Sequence, residues 1–136
     1  MLAAIVAGFM IGGLWYGPLF GRAWVKAMGW TDANIAPPTP AEMRKAMLLQ
    51  ILGLVLMVYV FTHSLLVWIP SSWGGADAGG PAYGVMGAFF TWIGFYVPLQ
   101  LNKVGWERRP WKLFAINAGH DFVQLMILAQ ILVNWR

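Results

Sequence analysis

Residues 47–69 read MLLQILGLVLMVYVFTHSLLVWI and contain no Asp, Glu, Lys or Arg. The run is close to the roughly 20 residues that a helix needs to cross about 30 Å of hydrocarbon. Its apolar residues are continuous and lack the alternation of polar and apolar positions found in strands of membrane barrels. The run therefore predicts a transmembrane helix and places the chain among integral membrane proteins.

Three further apolar runs of similar length accompany it, at residues 2–20, 82–101 and 113–133. Hydrophobic residues make up 60% of the 136 residues and charged residues 10%, whereas a soluble domain carries about 25% charged residues. We therefore predict an all-α membrane protein whose residues 1–136 form a single domain of four transmembrane helices.

The basic residues predict the orientation of these helices. Eight of the nine Lys and Arg residues flank the first and third connections, and such residues favour the cytoplasmic side. This pattern predicts a multi-pass protein of the bacterial inner membrane with both termini outside and anionic lipid headgroups as cytoplasmic partners. No basic residue precedes the first run, so we expect a retained helix there, not a signal peptide. We expect no nucleic-acid partner. The eight Lys and Arg residues that flank the first and third connections are Arg22, Lys26, Arg44, Lys45, Lys103, Arg108, Arg109 and Lys112.

Two similar motifs end the first and third runs, WYGPL at 15–19 and FYVPL at 95–99. Proline removes a backbone hydrogen bond and clashes with the preceding turn, so Pro18 and Pro98 predict kinks. The motifs indicate two pseudo-repeated helical hairpins, although shared interface aromatics and a kink would give the same pattern. Residues 39–42, TPAE, predict a capping box that starts the second helix near Pro40.

Small residues recur at four-residue spacing, which lets helix backbones approach closely. The spacing is found in the first and third runs and predicts contacts either within the chain or in a homo-oligomer. The helix-packing candidates are Gly8, Gly12, Gly17, Gly84 and Gly87.

Two stretches, GLWYGPLFGRAW at 13–24 and RPWKLFAINAG at 109–119, resemble the bacterial family called domain of unknown function 1761. The resemblance extends over essentially the whole chain. It implies a small four-helix inner-membrane protein. It brings no established activity, so no catalytic residue follows from it.

The fourth run contains an unusual acidic residue, Asp121. A carboxylate at a helix centre costs about 2.5–3.5 kcal/mol on insertion, which makes it a candidate for function. Asn117 and Gln124 share its helix face, and His120 lies about 100° round the helix at the edge of that face. The stripe could line a cavity or ion path, or it could form hydrogen bonds between helices. We expect His120 and Asp121 to point in different directions.

The remaining residue inventory limits the chemistry. The chain has no cysteine, and His63 and His120 are predicted to lie roughly 14 Å apart along the membrane normal. We therefore expect no metal site, no haem and no other cofactor, and we find no catalytic set that would favour an enzyme. Two functions remain open: a small oligomeric protein that conducts or transports ions or solutes, and an accessory subunit that binds lipid or a larger membrane complex.

Overall fold

The computed structural model describes residues 1–31, 34, 36–74 and 80–135 of the chain. These residues form helices and turns, with no strand among them. Two π-helical turns, Trp15–Leu19 and Trp92–Tyr96, and two 3₁₀ turns, Leu65–Trp68 and Pro70–Trp73, interrupt or follow the helices. The helices are α1 (Leu2–Leu14), α2 (Gly21–Met28), α3 (Pro40–Ser64), α4 (Gly80–Thr91), α5 (Val97–Gly105) and α6 (Trp111–Asn134).

Among the described residues, four helical segments are long and apolar enough to cross a membrane. The prediction of an all-α protein with four transmembrane helices is therefore confirmed. In the order of the chain, these spans are Leu2–Leu19, Pro40–Trp68, Gly80–Gly105 and Trp111–Asn134.

Helix α6 is the centre of the bundle. Half of the residues in its apolar stretch are buried, against 17–22% in the other three spans. The difference arises because α6 contacts each of the other five helices. By contrast, α3 and α4 meet mainly through the 3₁₀ turn that follows α3. A side chain on α6 is therefore well placed to contact several spans at once.

The apolar core occupies the end of the bundle where α1 begins and α6 ends. Its fully buried members include Ala4, Val58, Ala88 and Leu128, one from each span. The four polar residues Asn117, His120, Asp121 and Gln124 precede this core along α6, at the end nearer the basic connections. The bundle is thus apolar in one half and partly polar in the other.

Glycines allow the spans to approach closely. An ideal Cβ would lie 2.8 Å from Leu54 Cδ2 at Gly8 and 2.6 Å from Leu65 Cδ2 at Gly87. At both positions an added Cβ would force a neighbouring side chain to shift. Two further glycines predicted at contacts have neighbours within 3.2 Å of an ideal Cβ, Gly12 and Gly84.

Gly17 does not make the packing contact that we expected. It is exposed, and an ideal Cβ there would have no neighbour within 4 Å. Its backbone is instead non-helical, with φ −98° and ψ −106°, at the kink before Pro18. The glycine thus lies at a bend of the first span, where it faces away from the other helices.

Both prolines are associated with a π-helical turn. Pro18 lies inside the turn Trp15–Leu19, and Pro98 lies in the first turn of α5, directly after the turn Trp92–Tyr96. A π turn shifts the hydrogen-bond pattern by one residue, which accommodates a proline that cannot donate. The two prolines therefore occupy different positions relative to their π-helical turns. The pseudo-repeat of two helical hairpins remains a prediction.

Local signals explain the start of α3 and the presence of α2. The predicted capping box is confirmed, since Thr39 accepts from the Glu42 backbone and Glu42 accepts from the Thr39 backbone. After the first kink the chain continues as the short helix α2, which the sequence did not lead us to expect. Its Trp24 contacts α6, while Arg22 and Lys26 are exposed.

Candidate functional site

The polar residues of α6 are placed against three different spans. His120 and Gln124 are buried, with 8% and 7% of their surface exposed, and Asn117 and Asp121 are partly buried. Each of the four candidates has a different environment.

Asp121 has a hydrogen-bond partner for each carboxylate oxygen. Gln100 of α5 donates from Nε2 to Oδ2 over 3.1 Å, and His120 Nδ1 lies 3.2 Å from Oδ1. Our expectation that His120 and Asp121 point apart was wrong. Their Cβ atoms diverge by about 100°, but rotation of the side chains brings the ring and the carboxylate together.

His120 has one satisfied and one unsatisfied ring nitrogen. Its Nε2 is the one buried side-chain nitrogen or oxygen without a hydrogen-bond partner among the described residues. An ideal Cβ at Gly12 would lie 3.8 Å from this atom and 3.0 Å from the Gln50 amide nitrogen. Glycine at position 12 therefore lets the Gln50 amide and the His120 ring lie close to the first span. A buried nitrogen without a hydrogen-bond partner is costly, which makes this atom unusual in the bundle.

Aromatic side chains of the first motif enclose the other faces of the His120 ring. The ring centroid of Tyr16 lies 4.9 Å from that of His120, and the centroid of Trp15 lies at 6.0 Å. Trp15 also donates from Nε1 to the Ile116 carbonyl over 3.0 Å. The WYGPL motif thus covers the histidine as well as bending the span.

Asn117 holds the first span and α2 against α6. Its Oδ1 accepts from the Tyr16 hydroxyl at 3.0 Å and from Trp24 Nε1 at 3.2 Å. It therefore contributes contacts between helices and has no hydrogen bond to Asp121. Gln124 lies one turn beyond Asp121, and its Nε2 would be 3.1 Å from an ideal Cβ at Gly8.

A cleft leads from the protein surface to Asp121. It has a volume of about 550 Å³ and lies along α5, at the end of the bundle with the third, basic connection. Because Trp106 and Glu107 at its outer end are exposed, the cleft is open there. We call it the polar cleft; its lining includes Tyr96, Gln100, Lys103, Glu107 and Asp121.

A second hollow, of about 580 Å³, lies on the other side of the kinked first span. Tyr16, Arg22 and Lys26 are among its lining residues. Tyr16 therefore separates this basic hollow from the His120 ring. Both hollows lie at the basic end of the bundle, so the polar half of the protein is accessible from that end.

Four residues of the site were not predicted from the sequence: Gln100, Gln50, Trp15 and Tyr16. An amide in a transmembrane run is itself a signal, since Asn and Gln often bond across helices, but the sequence does not show which partner each amide meets. The described residues contain no group of three or more His, Cys, Asp or Glu side chains that could hold a metal. His63 is exposed and its Nδ1 lies 2.8 Å from the Tyr59 carbonyl.

Comparison with known proteins identifies a family and no activity. No curated protein and no solved structure matches the chain. A family model described as "Protein of unknown function (DUF1761)" matches residues 1–133. The two motifs quoted above lie inside this match, as do all residues of the His120–Asp121 site. This transmembrane chain therefore belongs to the DUF1761 family.

Proposed function

We propose that the protein is a membrane carrier that binds a proton or a small cationic solute at Asp121. The observation that supports the proposal most strongly is the position of this carboxylate at the inner end of the polar cleft, paired with Gln100 and His120. An ionisable residue within a transmembrane helix is costly and commonly marks an ion or substrate path.

The partners of Asp121 leave it free to accept a cation. Gln100 is neutral, and the described residues place no Lys or Arg within ion-pair distance of the carboxylate. The other titratable groups around it are His120, Tyr16 and Tyr96, with Lys103 and Glu107 further out in the cleft. A cation that enters the cleft can therefore reach the carboxylate without displacing a Lys or Arg partner.

The geometry favours a carrier over an open pore. Access to Asp121 is from the basic end, while beyond Gln124 the buried side of α6 is apolar, from Leu125 to Val133. Movement across the membrane thus requires a conformational change. The two π-helical turns flank the site, Trp15–Leu19 on one side and Trp92–Tyr96 on the other, and are suitable points for bending.

The orientation and assembly are also proposals. The positive-inside rule places the basic end, and therefore the mouth of the polar cleft, in the cytoplasm, with both termini outside an inner membrane. Exposed basic residues there would contact anionic headgroups. A homo-oligomer would cover part of the exposed apolar surface of α3.

The test is proton flux in liposomes that contain the purified protein and a trapped pH-sensitive dye. An imposed potential should drive flux through the wild type. Asp121→Asn should reconstitute normally and lose that flux, because it keeps the shape and most hydrogen bonding but cannot titrate. The matched control is Glu107→Gln, which removes the exposed carboxylate at the cleft mouth and should retain flux. Full flux in Asp121→Asn would contradict the proposal.

One observation supports the alternative of an accessory subunit. Residues 41–53 of α3 are exposed throughout and include a long apolar stretch, which a partner protein could cover. If Asp121→Asn retains all activity, this surface becomes the best remaining indication of function.

A further inference from the structure

A third cavity, of about 720 Å³, lies between α3 and the third span. It exists because α3 and α4 meet mainly through the turn after α3 and diverge beyond it. Leu125, which is 1% exposed, is among its lining residues. We call this cavity the apolar groove; its lining includes Met57, Val60, Phe61, Phe90, Phe95 and Tyr96.

The groove is a largely apolar surface at membrane depth. Trp68 stacks on Phe90 with ring centroids 4.9 Å apart and planes 7° from parallel, which fixes one wall. The polar side chains on the lining, Ser64 among them, are few, and the Ser64 hydroxyl already donates to the Val60 carbonyl over 3.0 Å. An alkyl chain fits this surface better than a polar molecule does.

Tyr96 borders both the apolar groove and the polar cleft. Its hydroxyl donates to the Met57 sulfur at 3.0 Å, and a thioether is a weak acceptor. A single residue thus joins a site for a hydrocarbon chain to a site that ends at a carboxylate.

The chemistry of the cleft indicates the polar group. Asp121 lies at its inner end with no Lys or Arg partner among the described residues, whereas Glu107 at the mouth pairs with Arg109 at 3.6 Å. The deep carboxylate therefore attracts a cationic hydrogen-bond donor. We propose that the ligand is a single-chain amphiphile with a primary amine, its ammonium group on Asp121 and its alkyl chain in the apolar groove.

This inference rests on the proposed function, because it names the class of cation that Asp121 binds. The experiment uses the whole protein in phosphatidylcholine nanodiscs and a dodecylamine probe with a diazirine near its chain end. The corresponding dodecanol probe is the uncharged control. After irradiation, labelled peptides are mapped by mass spectrometry. The amine probe should label the groove peptides about tenfold more than the alcohol, the ratio expected from one charge-assisted hydrogen bond.

Two variants test the two ends of the ligand. Asp121→Asn should remove the excess labelling by the amine. Val60→Phe should reduce labelling by filling the groove, and because Val60 is 59% exposed the larger ring should not disturb folding. Val55→Phe, at an exposed position of the same helix away from the groove, should label like the wild type.

Equal labelling by the alcohol and the amine would show that the groove holds only bulk lipid and would overturn the inference. Crosslinks between two copies of the chain at the groove would overturn it too, because a second protomer would then be the occupant. The flux assay contains no amphiphile. Loss of flux in Asp121→Asn with equal labelling by both probes would therefore refute the amphiphile and leave the carrier intact.

Discussion

Replacement of Gly87 by alanine tests the close packing of the third span. The added Cβ would lie 2.6 Å from Leu65 Cδ2 and 2.9 Å from Trp68 Cδ1. Leu65 is 0% exposed, and Trp68 is held by its stack on Phe90. Neither neighbour can move without disturbing other contacts, and such overpacking costs about 1–3 kcal/mol.

Gly94→Ala is the matched control, seven residues along the same span. Its Cβ would have no neighbour within 4 Å. Gly87 lies in α4 and Gly94 in the π-helical turn that follows it, and at both helical positions alanine is favoured over glycine by about 0.5–1 kcal/mol. This gain cancels in the comparison, so Gly87→Ala should be less stable than Gly94→Ala by about 1–3 kcal/mol.

The assay is reversible unfolding of detergent-solubilised protein by added sodium dodecyl sulfate, followed by tryptophan fluorescence. The two variants are compared at equal detergent composition and protein concentration. Equal unfolding free energies, or a more stable Gly87→Ala, would refute the close approach of α4 to the turn after α3.

Three further predictions concern orientation and local structure. Asn34→Cys should resist an impermeant thiol reagent added to intact cells and react once the membrane is opened; labelling from outside would reverse the orientation. Tyr16→Phe removes one of two donors to Asn117 and should lower the unfolding free energy by about 0.5–1.5 kcal/mol; no change would show that Trp24 suffices. Thr39→Ala removes the capping box and should cost about 1 kcal/mol, with faster amide exchange confined to the first turn of α3; unchanged exchange would contradict the cap.

The fold was predictable because its signals are local. Residues 47–69 are apolar throughout, so no tertiary information is needed to recognise a span. The capping box at Thr39 depends on a spacing of three residues and is likewise contained in the sequence. By contrast, α2 has only eight residues, and its amphipathic pattern is too short to distinguish from a linker.

The site was predictable only in part, because it depends on contacts between spans. The cost of Asp121 in a membrane identifies α6 as the polar helix, but the sequence does not show that Gln100 meets it. The His120–Asp121 contact was missed because ideal helix geometry gives the direction of Cβ and leaves the side-chain rotamers open. Similarly, Pro18 predicts a kink in the first span. The π-helical turn that accommodates this proline depends on the packing around Trp15, which the sequence does not show.

The proposed carrier requires that water and cations reach Asp121 through the polar cleft from the basic end of the bundle. The chain has no cysteine, so Asp121→Cys provides a unique thiol. Its reaction with a positively charged, membrane-impermeant thiol reagent is measured in sealed vesicles of each orientation, with Leu128→Cys, a fully buried position on the same helix, as the control. We predict reaction at position 121 only when the reagent has access to the side with the third connection, and none at position 128. No reaction at position 121 from that side, or reaction from the opposite side, would contradict the account.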